Sequence, residues 1–286
     1  MLIDFVNHPD LLRIIKNAFD EDIKDGDHTT LATIPKDSKA SAKCLVKDHG
    51  ILAGIEYAKK VFQFIDPTLE LEILSNDGDI VQYGDVVFFV HGNVASILQA
   101  ERIVLNGMQR MSGIATQTYQ MAEMIKDLPC KLLDTRKTTP SVRLLEKWAV
   151  HIGGGKNHRM GLYDMIMIKD NHTDFCGGIQ KALERAKQYL VHHKLNLKIE
   201  VETRNLEEVK LALETGIPDI IMLDNMPTDM MKKAVEIIGN QCITEASGNI
   251  TIENLREKAL TGVNFISCGS LTHSYKSLDI SLKIVK

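Results

Sequence analysis

The sequence predicts an α/β protein whose C-terminal part is a TIM-like α/β barrel, incomplete because six strands are legible rather than eight. Three observations carry this. After residue 128, short apolar runs alternate with helical stretches. The last four runs end in a polar residue about every 22 positions, the length of one strand, loop and helix. The tail LDISLKIV alternates strictly between apolar and polar residues, which suits an antiparallel strand with one exposed face.

The elements follow in order. Leu11, Leu12, Ile14, Ile15 and Phe19 form a stripe of helical period, so residues 8–20 are expected to be a helix. The polar stretch EDIKDGDHTT reads as a loop. Strands are expected near 40–47 and 69–74 and through DVVFFVHG, with turns at Asp48-His49-Gly50 and Asn76-Asp77-Gly78. Residues 55–64 read as a helix, and a longer one is expected from Ala95 to Lys126, interrupted at Gly113. The later strands are KLLD, MIMIK, LKIEVE, DIIMLD, ITEAS and VNFISC, ending at Asp134, Lys169, Glu202, Asp224, Ser247 and Cys268. The tail is expected to pair with the N-terminal sheet.

Composition narrows the function. A formal charge of −4 gives no general basic field for nucleic acid. No apolar run has the length of a membrane span, and the N-terminus lacks the pattern of a secretory signal. Five scattered cysteines without a CxxC read as reduced thiols, and a cytoplasmic protein is expected. His192-His193 reads as a solvated helix end.

Against this acidic background, Arg136, Lys137, Arg143, Lys156 and Arg159, with His158, lie within 24 residues around a Gly-Gly-Gly. In a barrel, the strand C-termini and the loops after them form the active site. Here those positions carry cations early (Arg136, Lys137, Lys169), carboxylates in the middle (Glu202, Asp224) and small residues late (Ser247, Gly248, Gly269). Arginines suit carboxylates, acidic residues suit Mg²⁺ and sugar hydroxyls, and Gly/Ser loops expose N–H groups to phosphate. Each motif also has a plain reading: a solvated Arg-Lys pair, a surface Lys169-Asp170 ion pair, a flexible triglycine turn, a helix cap at Asp224-Asn225. Six polar strand ends with complementary chemistry favour a site for a sugar phosphate, a metal and an organic acid.

The chain resembles quinolinate phosphoribosyltransferase, the decarboxylating family of NAD biosynthesis. The likeness runs through EDxxxGDxTT (21–30), AERxxLNxxQRxSGIAT (100–116), DTRKTTP (134–140), GGGxNHRxGLxDxxxIKDNH (153–172), IMLDN (221–225), EASGxI (245–250) and GVxxIScGxLTHS (262–274). Ser141 stands where the family usually has Gly, and Trp148 where Tyr is common.

The resemblance implies an N-terminal α/β sandwich domain over residues 1–110, joined by the strand at 275–286, and a barrel domain over 111–274. It implies a homodimer with shared active sites, with a hexamer as a larger assembly, and Mg²⁺ as cofactor. The substrates would be quinolinate and phosphoribosyl pyrophosphate. Arg102 from the partner chain, Thr135, Arg136, Lys137, His158, Arg159 and Lys169 would bind quinolinate. Lys169, Glu202, Asp224, Ser247, Gly248, Asn249, Cys268, Gly269 and Ser270 would bind phosphoribosyl pyrophosphate. Lys137, Lys169, Glu202 and Asp224 would be catalytic, with Glu202 and Asp224 at the metal, directly or through water. Glu200 shares a strand face with Glu202, so the choice between them stays open. Rival readings are a Schiff-base lyase built on Lys169, the ordinary phosphoribosyltransferase fold suggested faintly by IIMLDNMPT, and a non-catalytic phosphate-binding module.

Overall fold

The computed structural model describes residues 3–285. In chain order its elements are α1 (Pro9–Asp22), α2 (His28–Thr33), β1 (Lys39–Val46), β2 (Gly50–Ile51), α3 (Ile55–Ile65), β3 (Glu70–Ile73), β4 (Ile80–Val81), β5 (Val86–Asn93) and α4 (Val94–Glu123). There follow β6 (Lys131–Leu133), α5 (Arg143–Ile152), β7 (Ile166–Ile168), α6 (Asp170–Cys176), α7 (Ile179–His193), β8 (Ile199–Thr203), α8 (Leu206–Glu214) and β9 (Ile220–Asp224). The chain ends with α9 (Thr228–Ile238), β10 (Ile243–Ser247), α10 (Leu255–Ala259), β11 (Phe265–Ser267), α11 (Ser270–His273) and β12 (Ile280–Val285).

Two compact units form. One holds the chain up to Tyr119, Thr138–Gly154 and the segment from Ser274 on; the other holds Gln120–Lys137 and Gly155–His273.

The first unit contains an antiparallel sheet in the order β12-β1-β5-β3. Its register sets Cys44 opposite Leu282 on one side and Phe88 on the other, and Val46 opposite Ile280. These side chains share one buried face. Helix α3 covers it: Phe62 meets Phe88 edge-on at 5.9 Å between ring centroids. The opposite face carries Lys43 and Lys283, so the tail alternates because its strand is half solvated. Two sequence expectations need correction here. The stretch 21–30 is not all loop: Glu21 and Asp22 end α1, and residues 28–30 begin the short helix α2, which Asp27 caps by accepting the Thr30 N–H. Gly113 does not interrupt α4. A Cβ there would overlap the carbonyl of Lys276 and lie 2.9 Å from Ser277 Cα, so the glycine admits a second backbone. Gly153 likewise sits 2.5 Å, at its would-be Cβ, from the Ala115 carbonyl, which makes it a packing residue rather than a flexible turn. Ser141 adopts φ +68°, the left-handed conformation that suits the usual glycine.

The second unit is a parallel six-stranded sheet in the order β6-β11-β10-β9-β8-β7. Apart from one seam, this is chain order closed on itself: β11 returns to β6, while β6 and β7 do not pair. That is the incomplete barrel. Both faces of β8 and most of β9 are buried, as parallel strands require. At the seam, the segment after the glycines adds an isolated parallel bridge to β6. Lys156 N–H donates to Leu132 O at 2.8 Å, and Asp134 N–H donates to Lys156 O at 3.1 Å.

Candidate active site

The seam segment is pinned by Asp134, a fully buried carboxylate one residue beyond β6. It accepts Asn157 Nδ2 at 2.6 Å and the His158 N–H at 2.8 Å. This delivers His158 and Arg159 to the C-terminal end of the barrel. Arg159 then reaches toward β7, donating from Nη1 to Met165 O at 3.0 Å. Its guanidinium is held below the usual arginine range by burial and then by the charge of Arg136. A buried guanidinium with a second, half-buried one near it forms an anion-binding arrangement, since an anionic ligand would relieve the costs of burial and repulsion. Lys137 lies beside the turn after β11. Its carbonyl accepts Thr272 Oγ1 at 2.9 Å, and its Cδ would be 2.9 Å from a Cβ at Gly269. The Thr135 hydroxyl accepts the Lys137 N–H at 3.0 Å.

The carboxylates come next. Strand β8 points Glu200 and Glu202 to the same side, one step apart. Glu202 is 3.4 Å from Lys169 Nζ, at the start of α6. Burial pushes the Glu202 carboxyl up; Lys169 opposes the shift, and repulsion from Asp224 and Asp170 adds to it. Asp224 ends β9 and accepts Asn225 Nδ2 at 2.7 Å. Asn225 in turn accepts Asn249 Nδ2 at 2.9 Å, which links the β9 and β10 loops. Asn225 and Asn249 have φ of +52° and +49°, and Gly248 +91°, so both loops turn sharply at the strand ends. Cys268 is buried, with Sγ 3.0 Å from Ser270 Oγ, so only its backbone faces the loop.

Deeper in the barrel, His158 Nε2 lies 3.0 Å from Glu200 and 3.3 Å from Glu245, and all three side chains are almost fully buried. Burial opposes a charged ring, while the Glu200 and Glu245 carboxylates beside Nε2 favour one. Burial also pushes Glu200 up, against the hydrogen bond from His158. Nδ1 accepts the Arg159 N–H at 2.7 Å, which places the ring proton on Nε2, facing the carboxylates.

Thus the structure gathers Thr135, Arg136, Lys137, His158, Arg159, Lys169, Glu202, Asp224, Ser247, Gly248, Asn249, Cys268, Gly269 and Ser270 at one end of one unit. Arg102 belongs to the other unit. It is exposed on α4, where it lines a surface cleft with Asn106, Arg110, Tyr57 and Glu21. Of the opening cationic run, Arg143 does not join the gathered group: its Nε donates to Thr138 Oγ1 at 2.8 Å within the first unit. Sequence reasoning gave no role to Asp134, Asn225 or Glu245. The signal for Glu245 was present, because ITEAS places it two residues before Ser247 and so on the same strand face.

Cations and carboxylates converging at the C-terminal ends of parallel barrel strands define an enzyme site for anionic small molecules. Two family models, the quinolinate phosphoribosyl transferase N-terminal and C-terminal domains, match residues 27–112 and 114–283, and the chain belongs to that family. A Nicotiana tabacum protein named quinolinate phosphoribosyltransferase (decarboxylating) 2b, mitochondrial, is 50% identical over 97% of this chain and 83% of its own length. An Arabidopsis thaliana protein named nicotinate-nucleotide pyrophosphorylase (carboxylating), chloroplastic, is 49% identical over 97% of this chain and 84% of its own. The solved nicotinate-nucleotide pyrophosphorylase of Francisella tularensis matches with a TM-score of 0.91 and 38% identity over the whole of both chains. These relatives overturn the cytoplasmic expectation, since proteins half identical to this one carry organellar names. Unpaired, scattered cysteines do not distinguish one reducing compartment from another.

Proposed function

We infer that the chain transfers phosphoribosyl from phosphoribosyl pyrophosphate to quinolinate, with decarboxylation, giving nicotinate mononucleotide, pyrophosphate and CO₂. The observation that carries this reading is the placing of Arg136 beside a buried Arg159, in the unit whose strand ends also bring Asp224 beside Glu202. Quinolinate brings two adjacent carboxylates beside a polyphosphate. One opposite charge at contact offsets about 4 kcal/mol at an effective dielectric of 20, so several cations are needed. Arg136, Arg159 and Lys169 hold the carboxylates, with the wall formed by Thr135 and His158. Lys137 and Lys169 stand between the substrates and neutralise both. The ring nitrogen attacks the anomeric carbon as pyrophosphate departs, and the carboxylate next to that nitrogen then leaves as CO₂; the electron pair left on that ring carbon is stabilised by the adjacent cationic nitrogen and takes up a proton. Glu202 and Asp224 face the ribose and stabilise positive charge developing on it. Glu202 fits this role better than Glu200, which is committed to His158. The turns at Ser247–Asn249 and Cys268–Ser270 offer backbone N–H groups to the 5′-phosphate.

Glu202 and Asp224 are also a fitting oxygen donor set for Mg²⁺, because the Asp224 charge raises the cost of ionising Glu202 and a cation would offset it. When bound, the ion would neutralise pyrophosphate charge. Lys169 sits half in solvent beside Glu202 rather than in an apolar pocket, which removes the ground for a Schiff-base reading. In a homodimer, Arg102 of each chain serves the site of the other.

The test supplies purified protein with quinolinate, phosphoribosyl pyrophosphate and Mg²⁺, following CO₂ and nicotinate mononucleotide together, with nicotinate as control substrate. Arg136→Ala should abolish quinolinate binding and spare phosphoribosyl pyrophosphate binding. Unchanged quinolinate affinity in a titration would refute the carboxylate assignment.

A further inference from the structure

We propose that Glu245 is a positioning residue that acts through the His158 ring to set the backbone of Arg159. This rests on the reading of Arg159 as a carboxylate ligand.

The geometry is a relay across the barrel. Glu245 lies on β10, and the register separates it from Glu200 on β8 by the whole of β9. Both carboxylates meet His158 Nε2, at 3.3 and 3.0 Å. The other ring nitrogen accepts the Arg159 N–H at 2.7 Å. An imidazole that accepts at Nδ1 carries its proton at Nε2, and that proton needs an acceptor in a site closed to water. Glu245 and Glu200 are the acceptors on hand, each no more than 1% exposed. They fix the ring plane and tautomer, and the ring fixes the peptide that carries Arg159.

The three residues also have the composition of a metal site. The hydrogen bond from Arg159 argues against that. A metal on Nε2 requires the lone pair there and the proton on Nδ1, and metal-bound histidines donate from that second nitrogen. Here Nδ1 receives an N–H, so the geometry calls for a proton between ring and carboxylates.

Glu245 also stands two residues before Ser247. It therefore ties the strand that ends in one candidate phosphate turn to the segment that carries the carboxylate-binding arginine.

The experiment has two arms. In the wild-type protein, nitrogen-15 NMR of the His158 ring should show a protonated Nε2 and an unprotonated Nδ1, unaffected by added Mn²⁺. A ring protonated on both nitrogens, a proton on Nδ1, or broadening of the ring signals by Mn²⁺ would overturn the proposal. In the kinetic arm, Glu245→Ala should raise KM for quinolinate about tenfold, the size of one displaced charge-assisted hydrogen bond, and leave KM for phosphoribosyl pyrophosphate within about twofold. Glu245→Gln, whose carbonyl still accepts the Nε2 proton, should restore most of the quinolinate KM. Equal increases in both KM values, or no rescue by Gln, would overturn it as well. If the Ala variant does not fold, the Gln variant and the ring tautomer still decide. A wild-type protein inactive on quinolinate would sink the functional reading alone, with the tautomer left to judge the contact.

Discussion

Gly248→Ala tests how the β9 and β10 loops hold Asp224, the carboxylate proposed to act on the ribose. A Cβ at Gly248 overlaps the Asn225 side chain, with Nδ2 only 2.6 Å away. Two costs follow. Gly248 has φ +91°, where an L-residue pays about 1–2 kcal/mol. The displaced Asn225 side chain gives up its bonds to Asp224 at 2.7 Å and to Asn249 at 2.9 Å. Both are exposed, so together they are worth about 1–2 kcal/mol rather than the full value of buried bonds. The expected loss of stability is therefore about 2–4 kcal/mol in urea unfolding. Asp224, released from its partner, should cost about tenfold in kcat, or about 1.4 kcal/mol of barrier. Pairing the change with Asn225→Gly separates the causes. The double variant loses the steric overlap but not the missing hydrogen bond, so stability should recover in part while kcat stays low. A Gly248→Ala enzyme with unchanged unfolding midpoint and full kcat would refute the reasoning.

Glu202→Gln should stabilise the ligand-free protein while removing activity. Because burial raises the folded carboxyl, its contribution is fully present below the unfolded value of about 4.3 and is lost as pH rises through the folded one. Urea midpoints measured across pH should show the Gln variant ahead at neutral pH and level with wild type in acid. Arg110→Met leaves Glu146, fully buried and 2.5 Å from Arg110 Nη1, without its cation. The cost should be about 3 kcal/mol, at the low end for a buried pair because Arg110 is partly exposed; a loss below about 1 kcal/mol in denaturant melts would show that the pair does not hold the Thr139 turn. For the shared site, mixing inactive Arg102→Ala and inactive Asp224→Ala proteins should restore activity in hybrid dimers, and a mixture that stays inactive would count against a residue lent between chains.

Local chemistry made much of this protein readable from its sequence. Period-2 and period-3.6 patterns marked β1, β5, α1 and the barrel strands, because each buries one face or both. The polar residues ending those strands announced the site, since a barrel brings all such ends together whatever its loops do. Elements whose cause is a distant neighbour stayed hidden. Gly113 looked like a break because glycine weakens an isolated helix; the backbone at Lys276 and Ser277, more than 160 residues away in sequence, explains it. The seam between β6 and β7, and its partial filling by Lys156, depends on hydrogen bonds between segments that no pattern connects. Glu200 and Glu202 are equivalent by strand period. Only the folded barrel distinguishes them, by turning His158 toward one and Lys169 toward the other. Sequence fixes which chemical groups a strand end offers, because that is covalent; which group reaches which is set by packing across the barrel.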